Sequence, residues 1–188
     1  MTRLANERPS LAQLEKEYAR EEYRSRFIRT VESTIGILII VAATAVLLSS
    51  LLLPVFRIYG TSMDPTLKEG DIVAAVKTTD FKQKDLIAFY YNNRILVKRV
   101  IATSGQWVDI DQNGNVYVNS RLLEEDEYVF DKSLGDCNIE LPYQVPDGKI
   151  FVMGDHRSVS LDSRNSIIGC VAEEMIAGKL VFRIWPLQ

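Results

Sequence analysis

Hydrophobic positions along the chain change rhythm twice. Leu11, Leu14 and Tyr18 recur at helical spacing among Glu, Lys and Arg, which predicts a surface helix near the N-terminus. From Ile35 to Leu53 there follow nineteen residues with no charge, mostly Ile, Leu, Val and Ala. At ~1.5 Å per helical residue such a run crosses the hydrocarbon core of a bilayer. It is apolar all round, unlike a core helix, which keeps a polar stripe. It is also longer than the apolar run of a cleaved leader, and some thirty polar residues precede it, so the pattern predicts a retained anchor. Arg24, Arg26 and Arg29 flank it before and Arg57 after, which by the positive-inside rule places the N-terminus in the cytoplasm and residues 57–188 outside.

Beyond Pro54 the period shortens to that of strands. Asp71–Lys77, Leu86–Tyr91, Ile95–Ile101, Trp107–Asp111, Val116–Asn119, Ile150–Met153 and Gly178–Ile184 are rich in Val, Ile, Tyr and Phe and are bounded by turn residues. Asn92-Asn93 and Asn113-Gly114-Asn115 suit hairpin turns, because Asn and Gly accept positive φ. Val171–Ala177 is the one stretch predicted as a short helix. The expected fold class is mostly β: an antiparallel β-rich core preceded by one transmembrane helix. The expected organisation is residues 1–32 as a helical cytoplasmic segment, 33–54 as the anchor and 55–188 as one extracytoplasmic domain.

Composition narrows the function classes. With 47% hydrophobic and 25% charged residues the chain is an ordinary folded one, and a net charge of −3 leaves no basic excess for nucleic acid. Cys137 and Cys170 make no disulfide framework; whether they pair or stay free is open from sequence. One histidine and two distant cysteines do not compose a zinc site, and no metal or cofactor is expected.

Three segments hold candidate chemistry. Gly60-Thr61-Ser62-Met63-Asp64-Pro65-Thr66-Leu67 is a loop by composition, with a serine between a flexible glycine and a stiffening proline. Serine is a nucleophile only when a base takes its proton. Ser62 lies nine residues beyond Leu53, a tether of at most ~30 Å, so it sits near the membrane surface. In the strand Ile95–Ile101, alternation puts Lys98 on one face with Leu96 and Val100, and Arg99 on the other with Val97 and Ile101. Both faces are apolar, so the strand is central and Lys98 is desolvated. That lowers an ammonium pKa and can make a general base. A lysine that snorkels to water is the competing outcome. Third, Gly154–Arg164 is dense in polar groups: Asp155, His156, Arg157, Ser158, Ser160, Asp162, Ser163 and Arg164 follow an apolar strand and can pair to fix a loop.

Together these segments resemble the type I signal peptidases (leader peptidases) of the single-anchor bacterial type. The Ser-Met-x-Pro-Thr-Leu box is matched by Ser62–Leu67, Gly-Asp-Ile-Val by Gly70–Val73, and Lys-Arg-Val-Ile by Lys98–Ile101. Gly-Asp-Asn-Arg-x-x-Ser-x-Asp-Ser-Arg is matched by Gly154–Arg164 at every fixed position but one, and the ending Arg183–Leu187 is similar too. The resemblance covers residues 35–188. It implies a membrane-bound endopeptidase that removes signal peptides from exported preproteins after Ala-x-Ala. Its partners would be those preproteins and the lipid bilayer, close to the secretion machinery. Ser62 would be the nucleophile and Lys98 the base. Ser160 would orient the amine, Asp162 and Arg164 would brace the site as a buried ion pair, and Asp155 would support it. The Ser62 N–H would serve the oxyanion hole. By proximity, Met63 and Ile58 are the candidates to line the substrate pockets.

Departures from the pattern are His156 in place of Asn, Gly60 where some members carry an oxyanion hydroxyl, and Ala102-Thr103-Ser104-Gly105-Gln106 where Gly-x-Pro-Gly-Asp is common. The competing readings are a damage-response repressor protease on a similar core, a Ser62–His156–Asp triad, and a non-catalytic or specialised assembly factor. The apolar span argues against the first, the adjacency of Asp155 and His156 against the second, and the presence of both Ser62 and Lys98 against a non-catalytic factor, while an enzyme specialised for a few clients stays open from the sequence.

Overall fold

The computed structural model describes residues 10–125, 127–129 and 131–186. The chain divides into two compact units, Met1–Ser49 and Ser50–Gln188.

The described residues of the first unit lie almost wholly on one helix, α1 (Leu11–Leu52). Ser10 and Gln13 form a reciprocal cap at its start: Ser10 N donates to Gln13 Oε1 at 2.8 Å and Gln13 N to Ser10 Oγ at 3.4 Å. The polar first half carries a Glu22–Arg26 pair at 2.6 Å, one turn apart. In the apolar half Thr34 and Thr44 return their hydroxyl protons to the carbonyls one turn back, at 2.8 Å each, so they present methyls rather than unmet donors. Ile37, Leu38, Ile39, Ile40 and Val41 are all exposed, and the helix is long and apolar enough to cross a membrane.

Among the described residues the second unit has eleven strands in two antiparallel sheets. In chain order they are β1 (Val55–Arg57), β2 (Ile72–Val76), β3 (Leu86–Tyr91), β4 (Arg94–Ala102), β5 (Trp107–Ile110), β6 (Val116–Val118), β7 (Arg121–Leu122), β8 (Tyr143–Gln144), β9 (Lys149–Met153), β10 (Val171–Ala172) and β11 (Ile176–Trp185). The larger sheet runs β1-β2-β11-β3-β4-β9-β10 and the smaller β7-β6-β5-β8. All seven predicted strands form. The mostly β architecture preceded by one long apolar helix stands as expected.

The predicted helix at Val171–Ala177 does not form. Only a single 3₁₀ turn, Glu173–Met175, lies there, between β10 and the start of β11. Both flanks are claimed by ladder bonds, Val171 opposite Ile150 and Ile176 opposite Phe89, which leaves too few residues for a helical nucleus. β1, β7 and β8, of two or three residues each, are too short to show a period and are additions to the sequence reading.

Asn92 and Asn93, at φ 44° and 62°, make the tight turn between β3 and β4. Between β5 and β6, the Asp111 carboxylate accepts from Asn113 N and Asn115 N and sets the second hairpin. The departure at Ala102–Gln106 closes as a turn through Gln106, whose Oε1 accepts from Thr103 N at 2.7 Å.

Strand β4 organises the core. It pairs with β3 from Arg94 to Arg99 and with β9 only at Arg99, Val100 and Ala102. Ile87, Phe89, Val100, Ile150 and Val152 pack on one side of the sheet, and Ile101, Ala102, Phe151 and Met153 join the smaller sheet's Val108, Val116 and Val118 in a second cluster. Covered on both faces, β4 buries Lys98 and Arg99 alike, at 4% and 7% exposure.

Candidate active site

Ser62 rides on the connection between β1 and β2. Ile58 N donates to Asp71 O at 2.8 Å and Gly70 N to Ile58 O at 2.9 Å, which closes the base of the loop. Ile58, Met63 and Leu67 are buried with Val73 in a small cluster that pins the loop from beneath. Gly60 has φ 79°, a left-handed conformation that a β-carbon would strain, which gives its presence a backbone reason. Between these anchors Ser62 remains half-exposed.

Lys98 reaches it. Its Nζ donates to Ser62 Oγ at 2.7 Å. Burial lowers the Lys98 amine from 10.5 to about 8. The charges of Asp162 and Asp155 act to raise it and that of Arg164 to lower it, but desolvation dominates. The lysine does not snorkel, because β4 is central and Ile87 stands directly opposite it on β3.

Gly154–Arg164 wraps around this pair. Asp155, wholly buried, takes two bonds from Arg99: Nε to Oδ1 at 2.7 Å and Nη2 to Oδ2 at 2.6 Å. Thr66 Oγ1 adds a bond to Asp155 Oδ2 at 2.5 Å, tying the nucleophile's loop to the same carboxylate. Asp162 and Arg164 are both buried and doubly bonded, at 2.9 and 3.0 Å, and Asp162 Oδ2 also accepts from Gly154 N at 3.0 Å. The expected pair therefore exists, with its carboxylate holding the start of the loop. Ser160 comes to the same junction, packed against Gly154 and the Ser62 carbonyl. Its buried Oγ has no hydrogen-bond partner among the described residues, so the anticipated bond to the lysine amine is not formed.

Two grooves meet at Ser62 and Lys98. One, of about 770 Å³, is lined by residues 55–60, Ser62, Met63 and 93–98, Ile58 among them. The other, of about 510 Å³, is lined by Tyr91, Asn92, Arg94, Leu96, Val159, Leu161 and Ile168 beside the same pair.

Arg157 was expected to form a pair that fixes its loop, but its partner and several other supporting residues escaped the sequence reading. Arg157 is completely buried and doubly bonded to Glu125, at 2.9 and 2.7 Å, and it also donates to Gly154 O at 2.9 Å and to Ser133 Oγ. Asp131 accepts from the backbone of Arg157 and Ser158 at 2.6 and 2.9 Å. The Tyr128 ring lies 3.9 Å from the Arg99 guanidinium, and burial pushes the phenol up to about 12. Arg183 donates to Thr66 O at 2.5 Å and pairs with Asp71 at 3.3 Å. Glu125 and Ser133 lie in a stretch without periodicity, and their only sequence signal was charge and hydroxyl content. His156 meets the nucleophile through main chain, its N donating to Ser62 O at 3.2 Å. Cys137 and Cys170 are both free thiols; burial pushes Cys170, beside Tyr143, up to about 11.

A mostly β core preceded by one long apolar helix is the architecture of the signal peptidases. The chain belongs to that family: it matches "Signal peptidase, peptidase S26" over residues 29–185. It is 33% identical to signal peptidase I of Bacillus licheniformis over 166 residues, which is 80% of this chain and 87% of that one. It is 36% identical to signal peptidase IB of Staphylococcus aureus over 152 residues, 71% of this chain and 78% of that one. It is also 35% identical to thylakoidal processing peptidase 1 of Arabidopsis thaliana over 143 residues. That match takes in 67% of this chain but only 40% of the plant protein's length. A crystal structure of a signal peptidase I from Enterococcus faecalis V583 aligns with TM-score 0.44 at 28% identity, covering 54% of this chain and 97% of that one.

Proposed function

We propose that this protein is a membrane-anchored endopeptidase that removes signal peptides from exported preproteins, cutting after Ala-x-Ala with Ser62 as nucleophile and Lys98 as general base. The observation that carries the reading is the 2.7 Å contact between Ser62 Oγ and an amine whose proton burial has loosened to about 8.

In this mechanism neutral Lys98 takes the Ser62 proton as Oγ attacks the scissile carbonyl. The oxyanion is held by the Ser62 N–H. The C–N bond breaks, Lys98 returns the proton to the leaving amine, and an acyl-Ser62 ester remains. Lys98 then takes a proton from water, the water attacks the ester, and the proton passes back to Ser62 as the peptide acid departs. Ser160 is assigned the orienting role; its buried Oγ makes no bond among the described residues and so is available for one to the amine. Asp162, Arg164 and Asp155 hold the surrounding loop by their charge pairs. Ile58 and Met63 line the pockets for small side chains at −1 and −3.

Residues 1–32 lie in the cytoplasm, 33–54 anchor the chain in the bilayer, and 55–188 form the catalytic domain outside, where emerging preproteins meet it. The arginines before the span support that orientation, and the long apolar helix supports the anchor.

The test is cleavage of a preprotein in liposomes by wild type, Ser62→Ala and Lys98→Ala. Cutting after Ala-x-Ala by wild type, with both variants folded and inactive, is the expected result. An inert wild type, or a Lys98→Ala variant active at neutral pH, overturns the assignment.

A further inference from the structure

The edge of β4 that faces the catalytic loop is unpaired where the two grooves meet. β9 ends against Arg99, and on that side no strand among the described residues pairs with Arg94–Lys98. Free N–H and C=O groups there match an extended peptide, the usual way a chain is added to a sheet edge. A peptide so bound presents successive side chains to opposite faces.

Arg94, Leu96 and Lys98 line both grooves, while Asn93, Ile95 and Val97 line only the first, so the grooves differ by that parity in the strand residues they do not share. On one face Val97 packs with Ile58 and Met63, in the groove assigned to −1 and −3. On the other face the register puts Arg94 opposite Tyr91 and Leu96 opposite Phe89, and Arg94, Leu96 and Lys98 line the second groove. Its far wall is the catalytic loop's Val159 and Leu161, at 55% and 47% exposure, together with Ile168. Tyr91 Oη donates to Ile167 O at 3.0 Å and joins the β3–β4 turn to that wall. The lining is mainly aliphatic, with no acidic side chain and Arg94 at the rim.

We infer that this second groove is a specificity subsite for the −2 residue, the x of Ala-x-Ala, and that it favours an apolar side chain there. The inference rests on the function proposed above. It takes −2 as the occupant because the free edge that holds −1 and −3 on one face must turn the residue between them to the other.

The experiment compares kcat/KM of the full-length enzyme in liposomes on preproteins that differ only at −2, with Ala, Leu, Asp or Lys. Leu is expected to exceed Asp and Lys by about tenfold, the usual scale for an aliphatic pocket. Leu161→Lys, and independently Ile168→Lys on a separate turn, should abolish the preference for Leu and raise Asp above Lys. The effect is read as the ratio of Leu, Asp and Lys substrates to the Ala substrate within each variant, which cancels any general loss of activity. A wild type that cuts these substrates without preference at −2 overturns the inference alone, as does a charge reversal felt at +1 and not at −2. A wild type that cuts none of them overturns the function on which it rests.

Discussion

The side chain of Ser160 occupies the space where a β-carbon on Gly154 would stand, and the carbonyl of Ser62 presses on the same point at 2.5 Å. Glycine at 154 is thus a matter of room, not of backbone conformation, since its φ is not among the positive ones. Gly154→Ala should force the catalytic loop away from the nucleophile's loop, two segments joined by His156 N to Ser62 O and by Thr66 Oγ1 to Asp155 Oδ2. We expect kcat to fall at least a hundredfold with KM little changed, since small misplacements at a reacting centre are felt on that scale. Single-turnover acylation kinetics on a folded variant would check it; retention of more than a tenth of wild-type kcat would contradict the packing argument.

The pH dependence follows from the same lysine. The base form requires loss of a proton that burial has brought to about 8, so kcat/KM should rise with pH through a midpoint near 8. Asp162 raises this value by its charge and Arg164 lowers it. Asp162→Asn should therefore move the midpoint to lower pH, and Arg164→Gln to higher pH. A pH–rate profile of the three enzymes tests the signs, and a midpoint common to all would show that the charges do not reach the base.

Much of this site was legible because its parts obey local rules. The alternation that set Lys98 beside Leu96 and Val100 is the one the register shows, although the strand alone left a snorkelling lysine as the competing outcome. The hairpin at Asn92-Asn93 announced itself through residues that tolerate positive φ. What the sequence did not reveal is long-range pairing of polar groups. Nothing near Asp155 indicated Arg99 as its partner, 56 positions away, nor Glu125 as that of Arg157, 32 positions away. Such pairs carry no period, and only the folded chain brings them together. The wrong helix at Val171–Ala177 has a related cause: its Ala, Glu and Met content favours a helix locally, while the ladders of β10 and β11 decide the outcome.

Burying Lys98 has a stability consequence with a definite sign. Its pKa is about 8 in the folded protein against 10.5 for the free side chain, so the unfolded chain binds this proton more tightly. Below pH 8 both states are protonated and the buried ammonium destabilises the fold by about 3 kcal/mol. Between pH 8 and 10.5 that penalty is relieved and stability rises with pH. Lys98→Met should therefore be inactive yet more stable at pH 7, with the advantage shrinking as pH approaches 10. Thermal unfolding of both proteins across this range measures it; a Met variant less stable than wild type at pH 7 would mean that the amine's contacts outweigh its desolvation.

The Arg157–Glu125 pair separates stability from positioning. Both side chains are buried and doubly bonded, so removing one partner leaves an uncompensated charge. Glu125→Ala should cost about 3–5 kcal/mol, whereas replacing both with apolar residues of similar volume, Arg157→Met with Glu125→Leu, should restore most of that loss. Arg157 has a second duty: it donates to Gly154 O and to Ser133, holding the loop that carries Ser160 and Asp162. The double variant should thus melt near the wild-type temperature and still show a depressed kcat. Urea unfolding and preprotein cleavage on the same samples read the two effects apart. If kcat recovers in step with stability, the guanidinium serves only to satisfy Glu125, and the loop holds its shape without it.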